Sequence, residues 1–99
     1  MFRSYKVRVA GRVYAGTANE ICEGLMLRHF KADEFKHSPA PLLAFFEYQR
    51  IIVKNCFGIN FTITGKTMED KCLKYLKVLE KNTILIFLEK DGVKKYGEV

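Results

Sequence analysis

Acidic residues are absent from the first nineteen positions, no C-x-x-C spacing occurs anywhere, and no apolar run is long enough to span a bilayer. Each absence removes a class of function. The three cysteines, Cys22, Cys56 and Cys72, are odd in number and widely spaced, which speaks against a disulfide framework. With His29 and His37 they match none of the usual zinc-ligand patterns, so neither a metal nor another cofactor is expected. Each cysteine falls on the apolar face of an expected helix and reads as a reduced core thiol, the form usual in the cytoplasm.

The start, Met1-Phe2-Arg3-Ser4-Tyr5-Lys6, lacks an apolar signal core, and the longest apolar runs are Leu42 to Phe46 and Ile84 to Leu88. A cytoplasmic protein without a membrane partner is expected. A phosphate-binding P-loop is also missing. Gly65-Lys66-Thr67 stands where such a loop would end, but Asn60 occupies the position of its first glycine, and Phe61, Thr62 and Ile63 are strand formers. A turn followed by a helix cap accounts for the tripeptide.

What is present fits a packed globule. The chain has 99 residues, 48% hydrophobic and 28% charged, which predicts a single α+β domain over residues 1–99 with its own core. The net charge is +6. Four cations, Arg3, Lys6, Arg8 and Arg12, fall within the acid-free start.

That start has the period of a strand: Tyr5, Val7 and Val9 alternate with Lys6 and Arg8. A two-residue loop at Ala10-Gly11 would set Arg8 opposite Val13 and mix wet and core sides. A three-residue loop, Ala10-Gly11-Arg12, instead sets Val9 against Val13 and Val7 against Ala15, leaving Arg8 beside Tyr14 outside. The three-residue loop is the expectation.

Thr17 followed by Glu20 is a capping box opening a first helix, with Ala18, Ile21, Cys22, Leu25, Met26 and Phe30 as its buried stripe. Gly24 lies off that stripe, either tolerated or marking a close approach. Lys31 to His37 reads as loop, and Pro39 as the first residue of a second helix running to about Phe57. Leu42, Phe45, Phe46, Gln49, Ile52, Val53 and Cys56 lie near one face of it, and Leu43, Ala44, Tyr48 and Ile51 widen the apolar arc. Such a helix is either central or half of an oligomer interface formed by Leu43, Phe45, Phe46 and Tyr48.

Ile59 to Ile63 alternates as a strand; Thr67 with Asp70 caps a third helix closed by Asn82. Thr83 to Leu88 is continuously apolar, as a strand covered on both faces would be, and Asp91-Gly92 turns into a short edge strand at Val93 to Tyr96. The expected order is β-β-α-α-β-α-β-β, a mostly antiparallel sheet covered by helices.

The hairpin carries the functional expectation. Arg3, Lys6, Arg8 and Arg12 around Tyr14 suit phosphate contact with base stacking, hence a nucleic acid or a ribonucleoprotein complex as partner. Charges on exposed strands also block edge-to-edge association, which accounts for Lys6 and Arg8 without a ligand. No paired carboxylates or family motif point to catalysis. The leading expectation is a non-catalytic binding protein of the kind encoded by phages and mobile elements, such as an inhibitor of an RNA-guided nuclease. Alternatives are a homo-oligomeric interaction or scaffold module, such as a homodimer, using the second helix, and a thiol enzyme using Cys22 or Cys72 near helix starts.

Overall fold

The computed structural model describes residues 3–57, 63–90 and 93–94, without the side chains of residues 52, 53, 56, 57, 93 and 94. Two strands, β1 (Tyr5–Val9) and β2 (Arg12–Gly16), precede helix α1 (Ala18–Gly24). Helices α2 (Pro41–Phe57) and α3 (Met68–Lys81) follow, then strands β3 (Leu85–Lys90) and β4 (Val93–Lys94). The sheet order is β2-β1-β3-β4, and every pairing is antiparallel. The α+β class and antiparallel sheet are therefore as expected. The strand expected at Ile59 to Ile63 and the Asp91-Gly92 turn lie wholly or largely outside the described residues.

Both helix caps form as the sequence dictates. Thr17 Oγ1 accepts from the Glu20 amide at 3.2 Å while Glu20 Oε1 accepts from the Thr17 amide at 2.9 Å. Thr67 Oγ1 accepts from the Asp70 amide at 3.1 Å, and Asn82 closes α3 by donating from Nδ2 to the Val78 carbonyl at 2.8 Å. The second helix starts at Pro41 rather than Pro39, and the Ala40 carbonyl accepts its first bond, from the Ala44 amide at 3.0 Å. Two prolines two residues apart suit the first helical position equally well, and the sequence does not choose between them. A 3-10 turn, Asp33–His37, occupies most of the expected loop.

The hairpin departs from expectation. Its loop has two residues, Ala10-Gly11, and the register is Val9 with Arg12, Arg8 with Val13, and Val7 with Tyr14. Both loop residues have positive φ, 51° and 81°, as a type I′ turn requires. Alanine pays on the order of 1 kcal/mol for that conformation, so the turn sequence hides its own type. What outweighs the strain is Tyr14. With this register its ring turns inward and is 6% exposed, whereas Val13 stands outside at 52%.

Gly24 explains how the ring fits. A Cβ at that position would lie 3.1 Å from Tyr14 Cδ2, so the bare backbone of α1 leaves the space the aromatic fills. Beyond Gly24 the helix widens into a π turn, Leu25–His29, with the Phe30 amide donating to the Leu25 carbonyl at 2.9 Å. The wider turn keeps Leu25 and Met26 buried and leaves Leu27 and Arg28 at the surface.

One face of the sheet carries the core. Val7, Val9, Leu85 and Phe87 meet Ile21, Cys22, Leu25, Cys72 and Leu76 there, all at most 1% exposed. Phe45, fully buried, joins α2 to this core through rings of Phe30, Phe46 and Tyr75 at 5.6, 6.1 and 6.0 Å. Tyr75 donates its hydroxyl to Gln49 Oε1 at 3.1 Å, which satisfies the one buried polar side chain among the described residues. Desolvation by burial pushes the Tyr75 hydroxyl well above its usual pKa, so it stays a donor.

Candidate functional site

The opposite face of the sheet has no helix over it among the described residues. Lys6 and Arg8 project from β1, Val13 and Ala15 from β2, and Ile86 from β3, all exposed. Arg8 is paired across the strands with Val13 on one side and Ile86 on the other. Arg8 therefore stands in the sheet between two aliphatic residues. No carboxylate pairs with it among the described residues. Lys6 differs: its ammonium meets Glu89 Oε2 at 2.8 Å across the β1–β3 pair, so its charge is locally neutralised.

The expected cluster of Arg3, Lys6, Arg8, Arg12 and Tyr14 is thus divided. Lys6 and Arg8 share the open face. Tyr14 belongs to the core, which corrects its assignment as an exposed stacking residue, and the cause is the two-residue loop that shifts β2 by one position. Arg12, beside the turn, stands on the helix side opposite Val9 and is exposed there. Arg3 precedes β1 at the surface.

Residues missed by sequence reasoning are Val13 and Ile86. Ile86 lies inside the continuous apolar run that read as a strand covered on both faces. In the structure β3 alternates, with Leu85 and Phe87 inside and Ile86 46% exposed. Period-two alternation within an unbroken apolar run carries no inward or outward label, so only the pairing with Arg8 reveals the open side.

Near the turn, His29 is held below its ordinary pKa of 6.5, first by partial burial and then by repulsion from the Arg12 guanidinium. Its neutral form is the one the fold favours. The stability this contributes is complete above pH 6.5 and is lost as pH falls through the lowered folded value. In an NMR titration, His29 is expected to protonate below pH 6.5, and Arg12→Gln is expected to move its midpoint part of the way back up, leaving the desolvation component in place.

The second expected interface is also revised. Phe45 and Phe46 are 0% and 3% exposed, whereas Leu43 and Tyr48 lie at the surface at 40% and 45%. The aromatic pair is used up by the core, and the large apolar side chains that α2 exposes among its described residues are Leu43, Tyr48 and Ile51. A groove of about 490 Å3 lies beside the start of α2, between Pro41, Leu42 and Leu43 on one side and Met26 and Leu27 on the other.

The thiols read from sequence as core residues are so placed where they are described. Cys22 and Cys72 are free and buried, with Cys22 Sγ donating to the Cys72 carbonyl at 3.5 Å. Burial first, then the contact with Cys72, raises the Cys22 pKa well above its usual value. A thiol so placed stays protonated, the opposite of an activated nucleophile. The side chain of Cys56 lies outside the described residues. Among the described residues no group of three or more His, Cys, Asp or Glu is placed to hold a metal ion, and no helix is long and apolar enough to cross a membrane.

No protein-family model, no curated protein and no solved structure matches the chain.

Proposed function

We propose that this chain is a non-catalytic binding module whose open sheet face receives a protein partner that presents a carboxylate within an apolar surface. The observation that supports this reading is Arg8, an exposed guanidinium without an acidic neighbour among the described residues, set between Val13 and Ile86. Arginine is among the residue types enriched at the energetic centres of protein interfaces, where a partner can desolvate it while pairing it bidentately. A protein subunit of a ribonucleoprotein complex belongs to this class of partner. Direct recognition of nucleic acid is less favoured by the same face, because Tyr14 is withdrawn into the core and Lys6 is paired with Glu89.

The test places a photo-crosslinking amino acid at Ile86 and, as a control, at Lys74 on the exposed side of α3. A discrete protein adduct is expected from position 86 and not from position 74. Arg8→Glu is expected to abolish that adduct and to weaken binding of the captured partner by about 2 kcal/mol or more, on the order of thirtyfold in Kd. Absence of any position-dependent adduct would overturn the reading. So would binding to short RNA or DNA that falls steeply with salt and is lost in Arg8→Glu, since the partner would then be nucleic acid.

A further inference from the structure

Strand β2 is an edge of the sheet, and its outer side has a polarity of its own. The two-residue loop makes Val9 and Arg12 a hydrogen-bonded pair, so alternation gives the ladder bonds to Val7 with Tyr14 and to Tyr5 with Gly16. The N–H and C=O groups of Val13 and Ala15 therefore point away from β1, and no hydrogen bond to another described residue takes them up. Beside this edge runs a groove of about 440 Å3 between β2 and α1 with its π turn, lined by Tyr14, Gly24, Glu20, Glu23, Leu27 and Arg28.

Helix and strand run in opposite directions along the groove. The Glu20 carboxylate sits against Gly16, the Gly24 backbone against Tyr14, and His29 feels the charge of Arg12. The Gly16 end of the edge consequently carries the acid Glu20, with Glu23 on the same side of the midpoint close to Tyr14, and the turn end carries the bases Arg12 and Arg28. An antiparallel pairing reverses these ends. We propose that the edge pairs with a second copy of this chain, β2 against β2 about a twofold axis at Tyr14, with Val13 bonded to Ala15 of the partner subunit. The acidic end of each copy then faces the basic end of the other, and the two sheets become continuous. A second copy brings the complementary charges in the required order, which an arbitrary extended peptide does not. Arg8 lies on the sheet face rather than its edge, so this inference goes beyond the proposed function and does not rest on it.

Sedimentation velocity over a concentration series tests it on the full chain. The expected result is a reversible dimer. Ala15→Pro removes an outward N–H that β1 does not use, so the variant is expected to keep its circular dichroism spectrum and weaken the dimer on the order of tenfold or more. Glu23→Arg and Arg28→Glu are each expected to weaken it several-fold, and the two together to restore it, whether or not the proline variant folds. Arg8→Glu is expected to leave the dimer unchanged. A chain that stays monomeric at every soluble concentration, a dimer indifferent to a folded Ala15→Pro, or a double charge exchange no tighter than the single ones overturns the proposal.

Discussion

Phe45→Ala is expected to cost about 3–5 kcal/mol of folding stability, read as a shift in the midpoint of chemical denaturation. The ring is fully buried and touches Phe30, Phe35, Phe46 and Tyr75, with centroids between 5.6 and 6.1 Å away. Removing it opens a cavity where α2, α3 and the segment after α1 meet, and rigid aromatic neighbours close in only partly. A domain of this size has roughly 5–15 kcal/mol in total, so the loss is a large fraction of what holds it folded. Leu43→Ala, on the exposed side of the same helix, is expected to cost about 1 kcal/mol or less. Equal costs at the two positions would show that α2 is not seated as described. A charge at position 45 would unfold the domain, so dissociation of an oligomer by Phe45→Glu would be no test of an α2 interface.

Glu69→Ala is expected to cost about 3 kcal/mol, although it removes no core side chain. Glu69 stands in the first turn of α3, and its two carboxylate oxygens accept from the amides of Ala18 and Asn19 in α1, at 2.8 and 3.0 Å. Those amides are orphan donors of a helix start, and the carboxylate also lies at the positive end of the α1 dipole. Glu69→Gln keeps one acceptor oxygen and is expected to recover about half of the loss. Hydrogen exchange at the Ala18 and Asn19 amides gives the site-specific readout: protection falls in the alanine variant before global stability does. Unchanged protection at both amides would refute the contact.

These two residues also mark how far the sequence could be read. Features set by near neighbours in the chain were legible: the Thr17–Glu20 box, the Thr67 cap, the Asn82 stop, and the first part of the α2 stripe, Leu42, Phe45, Phe46 and Gln49, which is buried, while the side chains of its remainder, Ile52, Val53 and Cys56, lie outside the described residues. Glu69 was legible only as an acid on a polar helix face, because its partners lie some fifty residues earlier. The hairpin register failed for a related reason. Parity assumed that apolar residues mark the inside, but Val13 and Ile86 face outward, and the space that draws Tyr14 inward is a glycine on another element. Ala10 at φ 51° removed the remaining local signal, since type I′ turns announce themselves through Asn, Asp or Gly.

The central position of β1 sets the order in which the sheet assembles in time. Its pairing with β2 closes through a two-residue turn, an event on the order of microseconds. Its other side waits for β3, and Tyr5 finds Lys90 only after all three helices have been made. Contacts so distant along the chain form slowly, and synthesis proceeds from the amino terminus. On a growing chain β1 is therefore a second open edge, bearing Lys6 before Glu89 exists to pair with it. The charges that flank this strand protect the nascent hairpin from pairing with its neighbours during the interval before β3 arrives.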